Sequence, residues 1–385
     1  MARRIRIGYI TTGDPADRTS WSGTFHYLLK ALKEKADVEV FWPLRPAILP
    51  WLRALNFVGL RTLRKRYNYR DSPVLSKAYA RLIQRRLKQA HFDLLIAPAG
   101  LATIAHLRTD IPIVHINDRC LAGALDYHPV LSDLFMFSRR DGVGLERQAL
   151  KNSEFTIYGS QWAADEARKH YPEFARKIFS IPFGANLEVL PARPADRESP
   201  AIPLKLLFLG SKWNEKGGPI ALEVFQILKK KGVPVKLVIC GCHPDPPLND
   251  PDIIVEGFLD KNDPQQQKKL LDHLTTSDVL IMPTRFEAYG IVLCEAAWYG
   301  IPSLATRTGG VPTIIDDGVT GHLFSLEDRG EAYADVIMAW LNDPSKWRSM
   351  RMAARRKAEE KLNWPAFVDA LLSQVGTISS INRER

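Results

Sequence analysis

Several things that would fix the class of this 385-residue chain are scarce or missing. Only four cysteines occur, Cys120, Cys240, Cys242 and Cys294, and no two form C-x-x-C. That argues against a disulfide framework and fits a reduced, cytoplasmic setting. Three of the four lie in or beside apolar runs, where cysteine serves as a small buried hydrophobe. No apolar run approaches the roughly 20 residues needed to span a bilayer. The opening "MARRIRIGYITTGD" turns polar too soon for a secretory signal and reads as a basic leader into a first strand. No G-x-G-x-x-G follows that strand, which counts against a nicotinamide or flavin dehydrogenase, and G-x-x-x-x-G-K-[ST] is absent.

Acid is missing from one long stretch. Residues 45–90 carry twelve Arg or Lys against one acid, Asp71, in a chain of net charge +10. Trp51, Leu52, Leu55, Phe57, Val58 and Leu60 lie among those bases. Such a mixture suits peripheral contact with the inner face of an anionic membrane. It equally suits two ordinary helices with an apolar core face and a solvated basic one. Nucleic acid ranks below both, for lack of any RNP, helix-turn-helix or zinc-finger pattern.

What is present is a globular composition, 45% hydrophobic and 25% charged, long enough for two domains. Short apolar runs alternate with helix-like stretches throughout. They include "IRIGYI" (5–10), "FDLLIAP" (92–98), "IPIVHI" (111–116), "LKLLFLG" (204–210), "VKLVICG" (235–241) and "DVLIMP" (278–283). Being continuously apolar, they read as strands buried on both faces, and strand–helix alternation predicts parallel α/β sheets. The proline-rich, charged stretch "LPARPADRESPAIP" (190–203) reads as a linker. The expected layout is a first domain at 1–190, a linker at 191–203, a second domain at 204–360 and a final helix at 361–385. Two such Rossmann-like domains face each other across a cleft, with ligands beyond the carboxyl ends of the strands.

Loops at strand ends are therefore where chemistry is expected. Lys216, Gly217 and Gly218 precede a helix that Pro219 starts, so free amides, a positive dipole end and an ammonium are expected to converge on a phosphate. Gly23 in "SWSGTFHYLLKAL" allows a close backbone approach ahead of another helix. In "RFEAYGIVLCEAAWYGIP" (285–302), Glu287 lies in a loop after a strand, Gly290 precedes a short helix, and Glu295 sits about one turn inside it. A carboxylate so placed can accept two hydrogen bonds from a vicinal diol such as a ribose, and two acids with different neighbours can hold different jobs. The plainer reading is a helix start stabilised by acids. A glycine pair follows in "RTGGVPTIIDDGVTGHLF" (307–324), and Asp250–Pro251–Asp252 reads as a polar turn.

Taken in order, these segments resemble the retaining glycosyltransferases of family 4, with the GT-B fold. "SWSGTFHYLLKAL", "GSQWAADEARKHYP" with "IPFGAN", "NEKGG", "FEAYGIVLCEA" with its E-x7-E spacing, "TGGVP" and "LNWPAFVDALLSQV" (362–375) each resemble a family segment. The resemblance implies transfer of a hexose-type sugar from a UDP- or GDP-sugar to a hydroxyl acceptor (glycan, lipid-linked or small molecule), as in polysaccharide biosynthesis. It implies that Glu287 holds the donor sugar and Glu295 the ribose hydroxyls. Lys216 would neutralise the diphosphate, with Tyr289, Gly290, Ile291, Val292, Gly217 and, from the first domain, Gly23 lining it. The backbone at Gly257 and Phe258 would meet the base, and the final helix would cross back to the first domain. No cofactor beyond the donor and no metal is expected, because lysine, arginine and helix dipoles stabilise the leaving group.

Two departures stand out. Ser211 occupies a position where arginine is common, with Lys212 offered as the substitute charge, and Thr313 stands where glutamate is common. "VHINDRC" resembles a subgroup with aspartate at Asp118, preferred here as the reaction-centre residue over His115, which also reads as a core histidine. A UDP-sugar 2-epimerase shares the architecture but not "SWSGT" and "NEKGG" in this order. A catalytically silent homologue, serving as a nucleotide-sugar sensor or partner subunit, is the alternative from another class.

Overall fold

The computed structural model describes residues 4–125, 127–192 and 197–383. The chain divides into two compact units, 1–181 and 182–385. Each is built on one six-stranded, all-parallel sheet flanked by helices.

The first sheet holds β1 (Arg6–Ile10), β2 (Asp37–Phe41), β3 (Leu94–Pro98), β4 (Ile113–Asn117), β5 (Phe155–Tyr158) and β6 (Ile178–Ser180), in the order β2-β1-β3-β4-β5-β6. β3 and β5 are buried at every position, which is why they are continuously apolar in sequence. Helices used below are α1 (Thr24–Lys35), α2 (Leu49–Leu63), α3 (Pro73–Leu87), α4 (Met136–Asn152) and α5 (Gln161–His170). α3 starts at Ser72, whose side chain accepts from the Leu75 amide at 3.3 Å, with Pro73 in its first turn.

The second sheet holds β7 (Leu204–Leu209), β8 (Val235–Cys240), β9 (Ile253–Gly257), β10 (Val279–Met282), β11 (Ser303–Thr306) and β12 (Gly321–Phe324). Its order is β12-β11-β10-β7-β8-β9. Its helices are α6 (Gly218–Lys230), α7 (Pro264–Thr276), α8 (Ile291–Trp298), α9 (Gly330–Asn342), α10 (Pro344–Glu360) and α11 (Trp364–Arg383). Leu206, Phe208, Phe225, Leu237, Ile281 and Trp347 are fully buried at the centre of this core.

Sheet order decides where a ligand can go. In the second unit the winding reverses between β7 and β10, so the loops after these two strands open beside each other. In the first, the reversal lies between β1 and β3. A doubly wound sheet offers its crevice at that point, beyond the carboxyl ends of the strands.

Two features differ from the sequence reading. β12 falls in "GHLF", too short and too polar for a periodicity argument, and it completes the second sheet. The stretch from Pro182 to Leu190, expected on the first domain, goes with the second unit. The reason is aromatic: the Phe183 ring lies 5.1 Å from Tyr289, 5.6 Å from Trp364 and 5.6 Å from Phe367. The final helix, α11, belongs to that unit as well. Of the linker expected at 191–203, positions 193–196 lie outside the described residues, as do the last two residues of the chain.

Candidate functional site

At the reversal of the second sheet, the loop after β7 is held hard against the end of β10. Gly217 has φ +77° and caps α6, and a Cβ there would lie 1.9 Å from the Pro283 carbonyl oxygen. The Arg285 amide donates to the Glu215 carbonyl at 2.9 Å. The loop after β11 joins them: Gly310 N donates to Glu287 O at 3.1 Å, and a Cβ on Gly310 would lie 2.3 Å from Ala288 O. Only glycine allows backbones to approach this closely.

These contacts bring Lys216 and Glu287 together across 71 residues of sequence, with Lys216 Nζ donating to Glu287 Oε2 at 2.6 Å. Both side chains are mostly buried but keep a solvent-facing fraction, 19% and 15%. The ammonium also lies 5.9 Å from the Phe286 ring centre. The loop's own amides behave differently from the expectation. Lys216, Gly217 and Gly218 donate to the carbonyls of Lys212, Asn214 and Trp213 at 2.9, 3.2 and 2.7 Å, so their turn absorbs them. What this loop presents to an anion is the Lys216 side chain. Lys212 is exposed and paired with Glu215 at 2.8 Å, and Ser211 is exposed beside it.

Gly290, at φ +99°, turns the chain into α8, leaving the first amides of that helix without intrahelical acceptors. Ile291 and Val292 are half-buried there. Tyr289 is buried, and its hydroxyl donates to the Phe183 carbonyl at 2.7 Å, so its ring is a packing element. Glu295, in the middle of α8, is 1% exposed. Lys261, in the loop after β9, donates to its Oε1 at 2.5 Å and lies 3.4 Å from the Asn186 carbonyl. Glu295 Oε2 has no hydrogen-bond partner among the described residues. Burial raises the Glu295 pKa, and Lys261 pulls the other way. A buried carboxylate with one oxygen held and the other open is an acceptor waiting for a donor, since an unsatisfied buried oxygen is costly.

Gly257 has φ +66°, and its carbonyl accepts from Gly241 at 2.7 Å. Phe258 beside it is 61% exposed. Thr313 lies in the short turn Val311–Ile314 after the glycine pair. Asp250 and Asp252 bind Lys229 at 2.8 and 2.7 Å, so this pair serves a surface ion-pair turn. Among the described residues, no cluster of three or more His, Cys, Asp or Glu suited to a metal ion is present.

The first unit carries its own unusual backbone after β1. Trp21, Ser22 and Gly23 are consecutive residues with φ of 49°, 56° and 93°. A Cβ on Gly23 would lie 2.7 Å from Arg18 O. Non-glycine residues persist in that region only when neighbours fix them. Here Trp21 Nε1 donates to Asp118 Oδ2 at 2.9 Å, and the Trp21 ring lies 5.1 Å from Phe25. Asp118, half-buried just past β4, is thus tied to the loop that carries Gly23. His115 is fully buried within β4 with neither ring nitrogen bonded among the described residues, and burial lowers its pKa to about 4. It is a neutral core residue near pH 7.

Two buried charged contacts escaped the sequence reading. Lys261 reaches Glu295 from 34 residues away, a separation that no local pattern marks. Glu146 is fully buried in α4 and accepts from the Leu121 and Ala122 amides at 2.6 and 3.0 Å and from the Tyr171 hydroxyl at 2.8 Å. Burial raises its pKa against those bonds. Glutamate inside an amphipathic helix looks like any solvated one.

Residues 203–343 match the family model described as "Glycosyl transferases group 1". A D-inositol 3-phosphate glycosyltransferase of Xylanimonas cellulosilytica is 26% identical over 245 residues, covering 59% of this chain and 58% of that protein. The chain thus spans little more than half the length of that curated relative. The solved sucrose-phosphate synthase of Thermosynechococcus elongatus superposes with a TM-score of 0.68 at 17% identity, over 99% of this chain and 100% of that one. HepE of Anabaena, solved with UDP and glucose, gives 0.63 at 16% identity over 97% and 100%. These likenesses show the fold, two parallel sheets with flanking helices of the GT-B type. Lys216, Gly290, Glu287 and Glu295 all lie inside the segment that matches the glycosyl transferases group 1 family.

Proposed function

We propose that this chain is a retaining, metal-independent glycosyltransferase. Its donor is a nucleotide diphosphate hexose carrying UDP or GDP, its acceptor a hydroxyl on a glycan, a lipid-linked sugar or a small molecule, and it needs no cofactor beyond that donor. The observation that carries the reading is the Lys216–Glu287 pair, set at the reversal of the second sheet beside the amide end of α8.

Each residue has a physical task in this reading. The Lys216 ammonium moves from Glu287 to the diphosphate and stabilises the charge that grows on it as the glycosidic bond breaks. The amides at Gly290, Ile291 and Val292 add the positive end of a helix. Glu287 accepts from the hexose hydroxyls and orients the sugar. Glu295, held by Lys261, accepts from the ribose diol through its open oxygen. Gly257 and Phe258 meet the base. Gly23 and Asp118 keep the roles given by the resemblance.

Calorimetric titration of UDP, GDP, ADP and their sugar conjugates, with and without a divalent ion, tests the reading. Micromolar binding of one nucleotide, indifferent to magnesium, is expected. Glu287→Ala should leave nucleotide affinity within about threefold and lower turnover by two orders of magnitude or so. Nucleotide binding without turnover in any acceptor screen would favour the sensor instead. Failure of folded protein to bind any nucleotide would overturn both.

A further inference from the structure

On the first unit, an apolar surface is exposed where the sequence allowed a core face. α2 buries only Leu52 and Gly59. Trp51, Leu55 and Val58, at i, i+4 and i+7, form one stripe and are 73%, 55% and 54% exposed. Phe57 and Leu63 are 64% and 63% exposed. Large aromatic and aliphatic side chains gathered on one helix to this degree mark an interaction surface.

The surface continues onto a second element. A Cβ on Gly59 would lie 2.9 Å from the Phe135 ring, so α2 rests directly on that residue. Past α2, Arg66 N donates to Asp133 O at 2.7 Å, and Phe135 N donates to Arg66 O at 3.0 Å. These bonds fix the end of α2 beside the start of α4, where Met136 and Phe137 are 86% and 47% exposed. Beside this junction opens a cavity of about 740 Å³, lined by Lys65 just past α2 and by Leu134, Phe135, Met136, Arg139 and Arg140. From Arg45 to Arg70 the chain holds seven arginines or lysines and no acid.

We propose that α2 and the start of α4 form a docking surface for an anionic phospholipid bilayer, with the cavity receiving a phosphate headgroup. Apolar side chains that enter the acyl boundary, beside bases at headgroup depth, are the combination that holds a protein on such a surface. The charge selects the occupant. An anionic leaflet meets the basic charge of residues 45–70, which a neutral apolar partner does not. No helix among the described residues is long and apolar enough to cross a membrane, so the contact is peripheral. The inference stands apart from the donor site and holds or fails without it.

Co-sedimentation of the full chain with phosphatidylcholine vesicles, with or without phosphatidylglycerol, tests it. Binding to the anionic vesicles and little to the neutral ones is expected. The double variant Trp51→Ser/Leu55→Ser should abolish it while keeping the unfolding midpoint, because both side chains are exposed. Arg139→Gln/Arg140→Gln should weaken it about thirtyfold, two headgroup-depth charges being lost. Millimolar inorganic phosphate should not release the protein. Release by phosphate would assign the cavity to a soluble anion. A dimer in light scattering that Trp51→Ser/Leu55→Ser dissolves would assign the surface to a second copy. Equal binding to both vesicle types, or anionic binding indifferent to both variants, would overturn the proposal as well.

Discussion

His115 and Glu295 show how burial sets the behaviour of single groups. With its pKa lowered to about 4, His115 binds its proton more weakly in the fold than in the unfolded chain, where the usual value is about 6.5. The stability this represents is complete above the unfolded value and is lost as pH falls from about 6.5 to 4, up to about 3 kcal/mol. Urea unfolding of His115→Phe between these limits should show a correspondingly flatter dependence, and an unchanged slope would place the titration elsewhere. For Glu295 the neighbour matters as much as the burial. Lys261→Ala leaves a buried carboxylate without its ammonium and should cost about 3 kcal/mol, as broken buried pairs do. Adding Glu295→Gln should return much of that loss, because the charge is then gone. A double variant as unstable as Lys261→Ala alone would deny the coupling.

Among elements, the turn into α6 separates conformation from packing. Gly217 and Gly232 share a left-handed backbone, φ +77° and +80°, but a Cβ at 217 meets Pro283 O at 1.9 Å while at 232 nothing lies within 4 Å. Gly232→Ala should cost about 1 kcal/mol, the strain of the dihedral alone. Gly217→Ala should cost several times as much and also weaken nucleotide binding, since the β7 loop must lift from β10. Thermal melts and calorimetry on the two variants read both effects, and equal costs would contradict the close approach. Elements of this kind were legible in the sequence where the physics is local. "LLIAP" (94–98) declares a buried strand by having no polar position, and Pro219 after Gly218 declares a helix start. β12 was not legible, because "GHLF" is set by its pairing with β11. Nor was the fate of the Lys216, Gly217 and Gly218 amides, which the turn itself consumes. Lys261–Glu295 and Trp21–Asp118 join residues 34 and 97 apart, and sequence spacing carries no trace of such meetings.

For the whole molecule, Lys216, Lys261, Glu287 and Glu295 of the proposed donor site come from residues 182–385, while the basic, apolar surface lies within 1–181. The two proposals therefore make separable demands on the protein. A nucleotide at a hundredfold its dissociation constant should add about 2.7 kcal/mol to the stability of the state that binds it. Lys216→Ala should remove that gain and leave vesicle binding as it was. Trp51→Ser/Leu55→Ser should do the reverse. Paired loss in either variant would mean that one of the two surfaces has been assigned wrongly.

The ion pair between Lys216 and Glu287 has a consequence for what the site will accept. At rest the two charges cancel, so Lys216 is not a bare cation for stray phosphate to collect on. A ligand bearing only phosphate takes the ammonium from beside Glu287 and does not replace that contact. A ligand bearing phosphate and sugar hydroxyls gives each member of the pair a new partner at once. In the proposed reading the pair works as a two-key lock, and a preference for a loaded donor over the spent nucleotide would follow from a single 2.6 Å contact.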